Sequence, residues 1–217
     1  VTSSLTIEAN YVIKSYLVSF KDDNGYILDS QLVLHGSSAT APSAPSKEGY
    51  TFKSWDKEFT NVTSNLEVKA TYDVNSYQVM FKDGETVLKE ETVLYGASAT
   101  SPVAPEKTGY TFTGWSQDFS KVTSSLTIEA NYVIKSYLVS FKDDNGYILD
   151  SQLVLHGSSA TAPTNPVRDG YSFTGWDKPL TNITSVQTIT AQYQAMTYLV
   201  KFVDYDGTQL KEETVEH

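Results

Sequence analysis

Apolar and polar residues alternate in short runs along most of the chain, which is the spacing of half-buried β-strands. In the clearest run, Tyr-Leu-Val-Ser-Phe at 16–20, the side chains of Tyr16, Val18 and Phe20 share one face. The pattern recurs at 77–81, 137–141 and 198–202. The alternation therefore predicts four strands of the same kind, each opening a similar segment.

A hairpin turn and a second strand follow each of these runs. Asp-Asp-Asn-Gly stands at 22–25, and Asp-Gly stands at 83–84 and at 206–207. Asn-Gly and Asp-Gly between apolar runs indicate a β-hairpin, because these residues tolerate positive φ. In the first segment the second strand is predicted to run from Ile27 to Val33.

Proline pairs interrupt the strand pattern after each hairpin. The sequence Ala-Thr-x-Pro-x-x-Pro places prolines at 42 and 45, 102 and 105, and 163 and 166. Two prolines three residues apart do not fit inside a long helix or a central strand. We therefore expect an extended crossover with room for one helical turn.

Two further strands complete each segment. The third is predicted in a marker, Gly-Tyr-x-Phe-x-x-Trp, that occurs at 49–55, 109–115 and 170–176. The fourth alternates as Leu66, Val68, Ala70 and Tyr72. The third segment departs from the pattern only in having Gln187 where Leu66 stands in the first.

The segments are tandem repeats with a period near 60, because the marker tryptophans are 60 and 61 residues apart. Residues 1–42 recur letter for letter as 122–163. The predicted boundaries are 1–15 for the closing strand of an incomplete repeat, 16–76, 77–136 and 137–197 for three repeats, and 198–217 for the opening hairpin of another.

The connections between repeats are predicted to be short. Only residues 73–76 separate the last tyrosine of the first repeat from the first tyrosine of the second. Four residues span at most about 14 Å, whereas a 60-residue domain is about 25 Å across. Neighbouring repeats are therefore expected to touch, and the array is expected to form an elongated rod.

Composition agrees with a β-rich folded chain. Hydrophobic residues are 40% and charged residues 19% of the 217 residues, with 15 Tyr, 9 Phe and 3 Trp. The formal charge of −10 argues against nucleic acid as a partner, because phosphate is met by Lys and Arg. Cysteine is absent, which excludes disulfides and thiolate metal sites. No apolar stretch approaches the roughly 20 residues of a membrane-spanning helix, so no membrane insertion is expected.

The ordered motifs resemble the Listeria–Bacteroides repeat, the internalin B-repeat type of module in bacterial surface proteins. The resemblance rests on the proline pair followed by the marker, and Ser54 is a small departure where the other repeats have Gly114 and Gly175. It implies small β-grasp (ubiquitin-like) modules, mainly β with little helix, and an extracellular, secreted or wall-anchored array. It implies no catalytic activity and no cofactor.

Scaffold roles are predicted for the marker residues. In each repeat the glycine, tyrosine and phenylalanine of the marker are expected to shape the strand and its turn. These residues are Gly49, Tyr50, Phe52, Gly109, Tyr110, Phe112, Gly170, Tyr171 and Phe173. The marker tryptophans, Trp55, Trp115 and Trp176, are candidates for stacking on a sugar. The alternative is that they form the core, since so small a module needs their bulk.

Metal sites are not favoured by the sequence. His35, His156 and His217 occupy one repeat position, so they stand too far apart to share an ion. The Asp-rich turns resemble the start of a calcium loop, but no closing glutamate follows at the required distance. A hairpin turn is the preferred interpretation and weak calcium binding the alternative.

The sequence leaves a structural and a binding hypothesis. No nucleophile motif or phosphate-binding loop is present, so we predict no enzyme. The first hypothesis is a stalk or spacer whose partners are neighbouring repeats of the same chain. The second is a multivalent adhesion module that binds host glycan or protein. Self-association through open sheet edges is a distant third.

Overall fold

A computed structural model describes residues 3–217, which contain fourteen β-strands and no helix. The prediction of a mainly β protein built from tandem units is therefore confirmed. The strands are β1 (Ser15–Lys21), β2 (Ile27–Leu34), β3 (Tyr50–Trp55), β4 (Leu66–Val74), β5 (Ser76–Asp83), β6 (Thr86–Leu94), β7 (Tyr110–Trp115), β8 (Leu126–Ile134), β9 (Ser136–Lys142), β10 (Ile148–Leu155), β11 (Tyr171–Trp176), β12 (Gln187–Ala195), β13 (Thr197–Val203) and β14 (Gln209–Glu216).

Each repeat forms a four-stranded mixed sheet with the same topology. The order in the first repeat is β2-β1-β4-β3, and the second and third repeats follow it as β6-β5-β8-β7 and β10-β9-β12-β11. The two central strands are parallel, whereas both outer strands pair antiparallel. β13 and β14 pair as a two-stranded hairpin. The β-grasp assignment stays a prediction.

The core of each repeat lies on one face of this sheet, as the alternation predicts. In the first repeat Val18, Phe20 and Val68 are completely buried at the central strand pair. Asp22 closes the hairpin turn, since its carboxylate accepts a hydrogen bond from the Tyr26 N–H at 2.7 Å. The equivalent residues are also completely buried in the other repeats, at Val79, Phe81 and Ile128 and at Val139, Phe141 and Ile189.

The proline-rich crossover is extended and contains no helical turn. Its start is held against a second loop: the Ala39 N–H donates to the Phe59 carbonyl, and the Val62 N–H donates to the Ser37 carbonyl. Ala39 and Val62 are buried and close the core beneath the crossover. Backbone hydrogen bonds therefore hold the crossover in place, and the buried valine fills the core beneath it.

The predicted four-residue connection between repeats is a single residue. β4 continues to Val74 and β5 begins at Ser76, so only Asn75 lies between them. Lys135 and Met196 occupy the same place after the second and third repeats. The residues that the sequence assigned to a linker therefore belong to strands, because both neighbouring sheets pair with them.

The predicted closing strand at 1–15 is not a strand in the described part, which begins at residue 3. Residues 4–14 have no regular secondary structure, although the identical sequence at 125–135 contains β8. Ile7 is 85% exposed, and its counterpart Ile128 is 0% exposed. The difference follows from pairing, because β8 has β5 and β7 beside it, while no strand among the described residues pairs with 4–14.

The chain divides into two compact units. One comprises the residues up to Pro102 together with Gln117–Glu129, and it contains the whole first repeat. The other comprises Val103–Ser116 and Ala130–His217, and it contains the whole third repeat and the final hairpin.

Candidate functional site: the marker turns and the repeat junctions

The marker tryptophans lie half-buried at the ends of β3, β7 and β11. Trp55 packs edge-on against Phe20, with ring centroids 4.9 Å apart, and against Phe52 at 5.4 Å. Trp176 makes the equivalent contact with Phe141 at 4.9 Å. These rings are built into the core cluster of their repeats. Sugar stacking by the tryptophans stays a prediction, and it would have to use the exposed part of each ring.

A tight turn fixes the start of each marker. The Tyr50 N–H donates to the Lys47 carbonyl at 3.0 Å, and Gly49 inside the turn has a φ of +77°. A residue at the third position of such a turn needs positive φ, which favours glycine. Gly109 and Gly170 have φ values of +78° and +73° in the equivalent turns.

An aromatic ring from the next repeat also packs directly on the marker glycine. A Cβ atom added to Gly49 would lie 2.0 Å from the ring of Tyr95, which follows β6. His156 lies over Gly109 in the same way, at 2.1 Å, and His217 lies over Gly170, at 1.9 Å. Each glycine is therefore required twice, once by its backbone conformation and once by the ring that covers it.

The backbone of the connecting residue completes this contact. The Asn75 N–H donates to the Gly49 carbonyl at 2.9 Å, and the Asn75 carbonyl accepts from the Tyr95 N–H at 2.8 Å. We call Gly49, Asn75 and Tyr95 the first repeat junction. The second and third repeat junctions, which have the same two bonds, are Gly109, Lys135 and His156, and Gly170, Met196 and His217.

The ring at each junction has polar and aromatic neighbours. Tyr95 lies 6.2 Å from Tyr50 and 6.5 Å from Tyr77, measured between centroids. A hydrogen bond to the Glu48 carboxylate, together with burial, raises the pKa of Tyr95. In the second junction the Tyr137 hydroxyl lies 3.4 Å from His156 Nδ1. The three histidine positions are thus strand-end positions that pack on tyrosine.

A cation packed on two tyrosines closes the other side of the marker turn. Lys47 Nζ lies 4.4 Å from the ring centre of Tyr50 and 5.2 Å from that of Tyr72, and it forms an ion pair with Asp23 of the hairpin turn. The hydrogen bond from Lys47 lowers the pKa of Asp23, and the same bond raises the pKa of Lys47. Burial, followed by the nearby Asp23 charge, raises the pKa of Tyr72.

This cation clasp, defined as the basic residue of the turn and its two tyrosines, recurs in the other repeats. Arg168 Cζ lies 3.8 Å from the ring centre of Tyr171 and 5.7 Å from that of Tyr193, and Arg168 pairs with Asp144. Lys107 Nζ lies 5.2 Å from the ring centre of Tyr110. The clasp ties the crossover to the third and fourth strands, and in the first and third repeats also to the hairpin turn.

The Asp-rich turns are engaged in structural contacts. The carboxylate of Asp22 caps its own turn and that of Asp23 pairs with Lys47. Across residues 3–217 no three His, Asp or Glu side chains are grouped so that they could hold a metal ion. Weak calcium binding has no support from this geometry.

One open groove lies beside the second marker turn. It has a volume of about 590 Å³ and is lined by Lys107, Lys135, Tyr110 and Phe112 together with residues of the crossover. The lining thus combines two lysines, the carboxylate residue Glu106 and two aromatic residues.

Sequence reasoning missed both the clasp and the ring–glycine contact. The clasp has a signal, since a basic residue stands three positions before the marker tyrosine at Lys47, Lys107 and Arg168. The contact between Gly49 and Tyr95 has a weaker signal in the sequence, because it joins two repeats across 46 residues. The contact between the marker glycine and the residue that ends the next hairpin can be recognised only from the tertiary structure.

The chain matches the Listeria-Bacteroides repeat domain over residues 16–76, 77–136 and 137–197. It therefore belongs to the Listeria-Bacteroides repeat family, as its motifs indicated. Since residues 3–217 contain no helix, none of them forms a membrane-spanning helix.

Three named relatives place this family in larger proteins. The chain is 31% identical to a putative Gly-rich membrane protein of Evansella cellulosilytica over 99% of its own length and 28% of that protein. It is 31% identical to a putative membrane protein of the same organism over 94% of its length and 35% of that protein. It is 37% identical to Internalin H of Listeria monocytogenes over 41% of its length and 18% of that protein. The chain thus spans about a third or less of each relative.

Proposed function

We propose that this repeat array is a non-catalytic stalk or spacer in a bacterial surface or secreted protein. The observation that carries the proposal is the repeat junction. One residue connects successive sheets, and both its N–H and its carbonyl are hydrogen-bonded. A connection without free backbone groups has little freedom to bend, which is what a spacer needs.

A non-catalytic role is supported by what the polar residues do. Asp22, Asp23 and Lys47 hold a hairpin turn to the crossover, and the repeat position of the histidines holds a junction. The junction contact recurs after all three repeats, and the hairpin-turn contacts recur in the third repeat at Asp143, Asp144 and Arg168, so these residues serve the repeated scaffold. A place at the bacterial surface is supported by the names of the relatives, two putative membrane proteins and an internalin, and we propose that the array is anchored to the wall or secreted.

Small-angle scattering of the chain tests the stalk. We expect a radius of gyration well above about 17 Å, the value for one compact domain of 217 residues, and a pair-distance distribution skewed to long distances. A radius near 17 Å would refute a spacer, because the repeats would then fold back on one another.

A multivalent adhesion module is the second candidate, and the groove in the second repeat would supply one of its binding sites. The test is a glycan array probed with the whole chain and with a Lys107→Gln, Lys135→Gln double variant. Binding of acidic glycans that the double variant loses would support adhesion. Lys53→Gln is the control, since Lys53 is an exposed lysine of β3 in the first repeat. Absence of binding by the whole chain would favour the spacer.

A further inference from the structure

The first strand and the last strand of each repeat are neighbours in the middle of the sheet. In the first repeat Val18, Phe20 and Lys21 of β1 lie opposite Leu66, Val68 and Lys69 of β4, in parallel. The third repeat has the same parallel pair, with β9 opposite β12. The chain enters a repeat through one of these strands and leaves it through the other.

The register puts the two chain ends at opposite ends of the strand pair. Ser15 lies three residues before Val18, and Val74 lies eight residues after Leu66, the partner of Val18. At about 3.3 Å per residue, Ser15 and Val74 are therefore about 36 Å apart along the strand direction. Tension on the chain pulls β1 and β4 past each other along their own axes.

This direction of pull matters because of how the hydrogen bonds share the force. When two paired strands slide along their axes, every bond of the ladder is stretched at once. When a hairpin is opened from one end, the bonds break one after another. Parallel pairing of the first and last strands gives each repeat the first geometry.

Packing and side chains strengthen the sliding contact. Val18, Phe20 and Val68 at this strand pair are completely buried, so sliding also has to break the core. In the first repeat the Asn65 side chain accepts a hydrogen bond from the Leu17 N–H at 3.0 Å. The single-residue junction then passes the force from β4 directly into β5.

From this geometry we propose that each repeat is a mechanical clamp, in which the parallel β1–β4 pair and its equivalents resist tension along the chain. The proposal rests on the stalk function and adds to it a resistance to pulling forces. The outer strands β2 and β3 lie beside the line of force, because neither carries an end of the repeat.

Single-molecule pulling with two attachment geometries tests the clamp. Since the chain has no cysteine, two introduced cysteines define the direction of pull without altering other residues. The pair Lys14→Cys and Ser76→Cys loads β1 against β4 lengthwise. The pair Lys14→Cys and Ser38→Cys opens the β1–β2 hairpin from its end. We expect at least a twofold higher unfolding force for the first pair at the same loading rate.

A matched pair of substitutions, pulled through the two chain ends, provides a second measurement. Val68 on β4 and Val33 on β2 are both buried in the same core cluster. We expect Val68→Ala to raise the unfolding rate of one of three repeats at constant force at least tenfold, and Val33→Ala less than threefold. If Val68→Ala prevents folding of its repeat, Asn65→Ser, which removes only the bond to Leu17, is used instead and is expected to raise that rate about threefold.

Equal forces in the two attachment geometries, or equal effects of the two substitutions, would overturn the clamp. Either result leaves the spacer proposal standing, because scattering measures the extension of the chain independently. Conversely, a compact particle in solution with a twofold force difference would refute the spacer, and with it the role of the clamp in a stalk, while the resistance of the single repeat to lengthwise pulling would stand.

Discussion

Replacing Gly49 with alanine tests whether the ring–glycine contact couples neighbouring repeats. The added Cβ would lie 2.0 Å from the ring of Tyr95, so the ring has to move away from residue 49. Alanine at a φ of +77° costs about 1–2 kcal/mol in backbone strain. The displaced ring loses two aromatic pairs, each worth about 0.5–1.5 kcal/mol. We expect a total loss of about 2–5 kcal/mol.

Gly96→Ala is the matched control for strain. Gly96 has a φ of +80°, and nothing lies within 4 Å of an added Cβ. Its replacement should therefore cost only the strain, about 1–2 kcal/mol. The difference between the two variants isolates the contact with the next repeat.

The assay is native-state hydrogen exchange at the Asn75 amide, with urea unfolding as a global measurement. The Asn75 N–H is bonded to the Gly49 carbonyl, so its exchange rate reports opening of the junction. Gly49→Ala should speed exchange at Asn75 more than tenfold, and Gly96→Ala should not. In a Tyr95→Ala background the effect of Gly49→Ala should fall to that of the control. Equal effects of the two glycine variants, or no relief by Tyr95→Ala, would refute the coupling.

Two further predictions concern the interior of single repeats. The Thr100 N–H, followed by Lys89, holds the pKa of Glu91 below its usual value. Glu91 therefore stabilises the fold above its unfolded pKa, and this stability is lost as pH falls through the folded pKa. Glu91→Gln should flatten acid unfolding, followed by circular dichroism, and an unchanged pH profile would contradict this. Val62→Ala should cost about 2 kcal/mol in urea unfolding, since two buried methyl groups are removed. Val103→Ala, at an exposed residue, should cost almost nothing, and equal losses would show that Val62 does not close the core.

Much of the fold could be predicted from sequence because the relevant forces are local. Alternation at 16–20 requires only that one face of a strand be buried, and the turn at 22–25 requires only residues that accept positive φ. The positions of these strands agree with the structure. The crossover was harder, because Val62, which closes the core beneath it, belongs to a loop without any periodic pattern.

The candidate site was predicted less well, since it depends on contacts between distant residues. The marker glycines were recognised as scaffold residues, but their second role depends on a ring from the next repeat, such as Tyr95 over Gly49. The cation clasp likewise joins Lys47 to Asp23 and Tyr72, which lie on either side of it in sequence. Spacing alone does not show which of many charged residues meet.

The sequence by itself determined the repeat, the strand pattern and the family, because the period near 60 and the alternation of apolar and polar residues can be read directly from it. Only the tertiary structure decided which segments become strands and how successive repeats are joined. The same sequence is an irregular segment at 4–14 and contains the strand β8 at 125–135. The physical reason is that a strand is stabilised by the strands beside it, and its sequence specifies only the face that it offers to them.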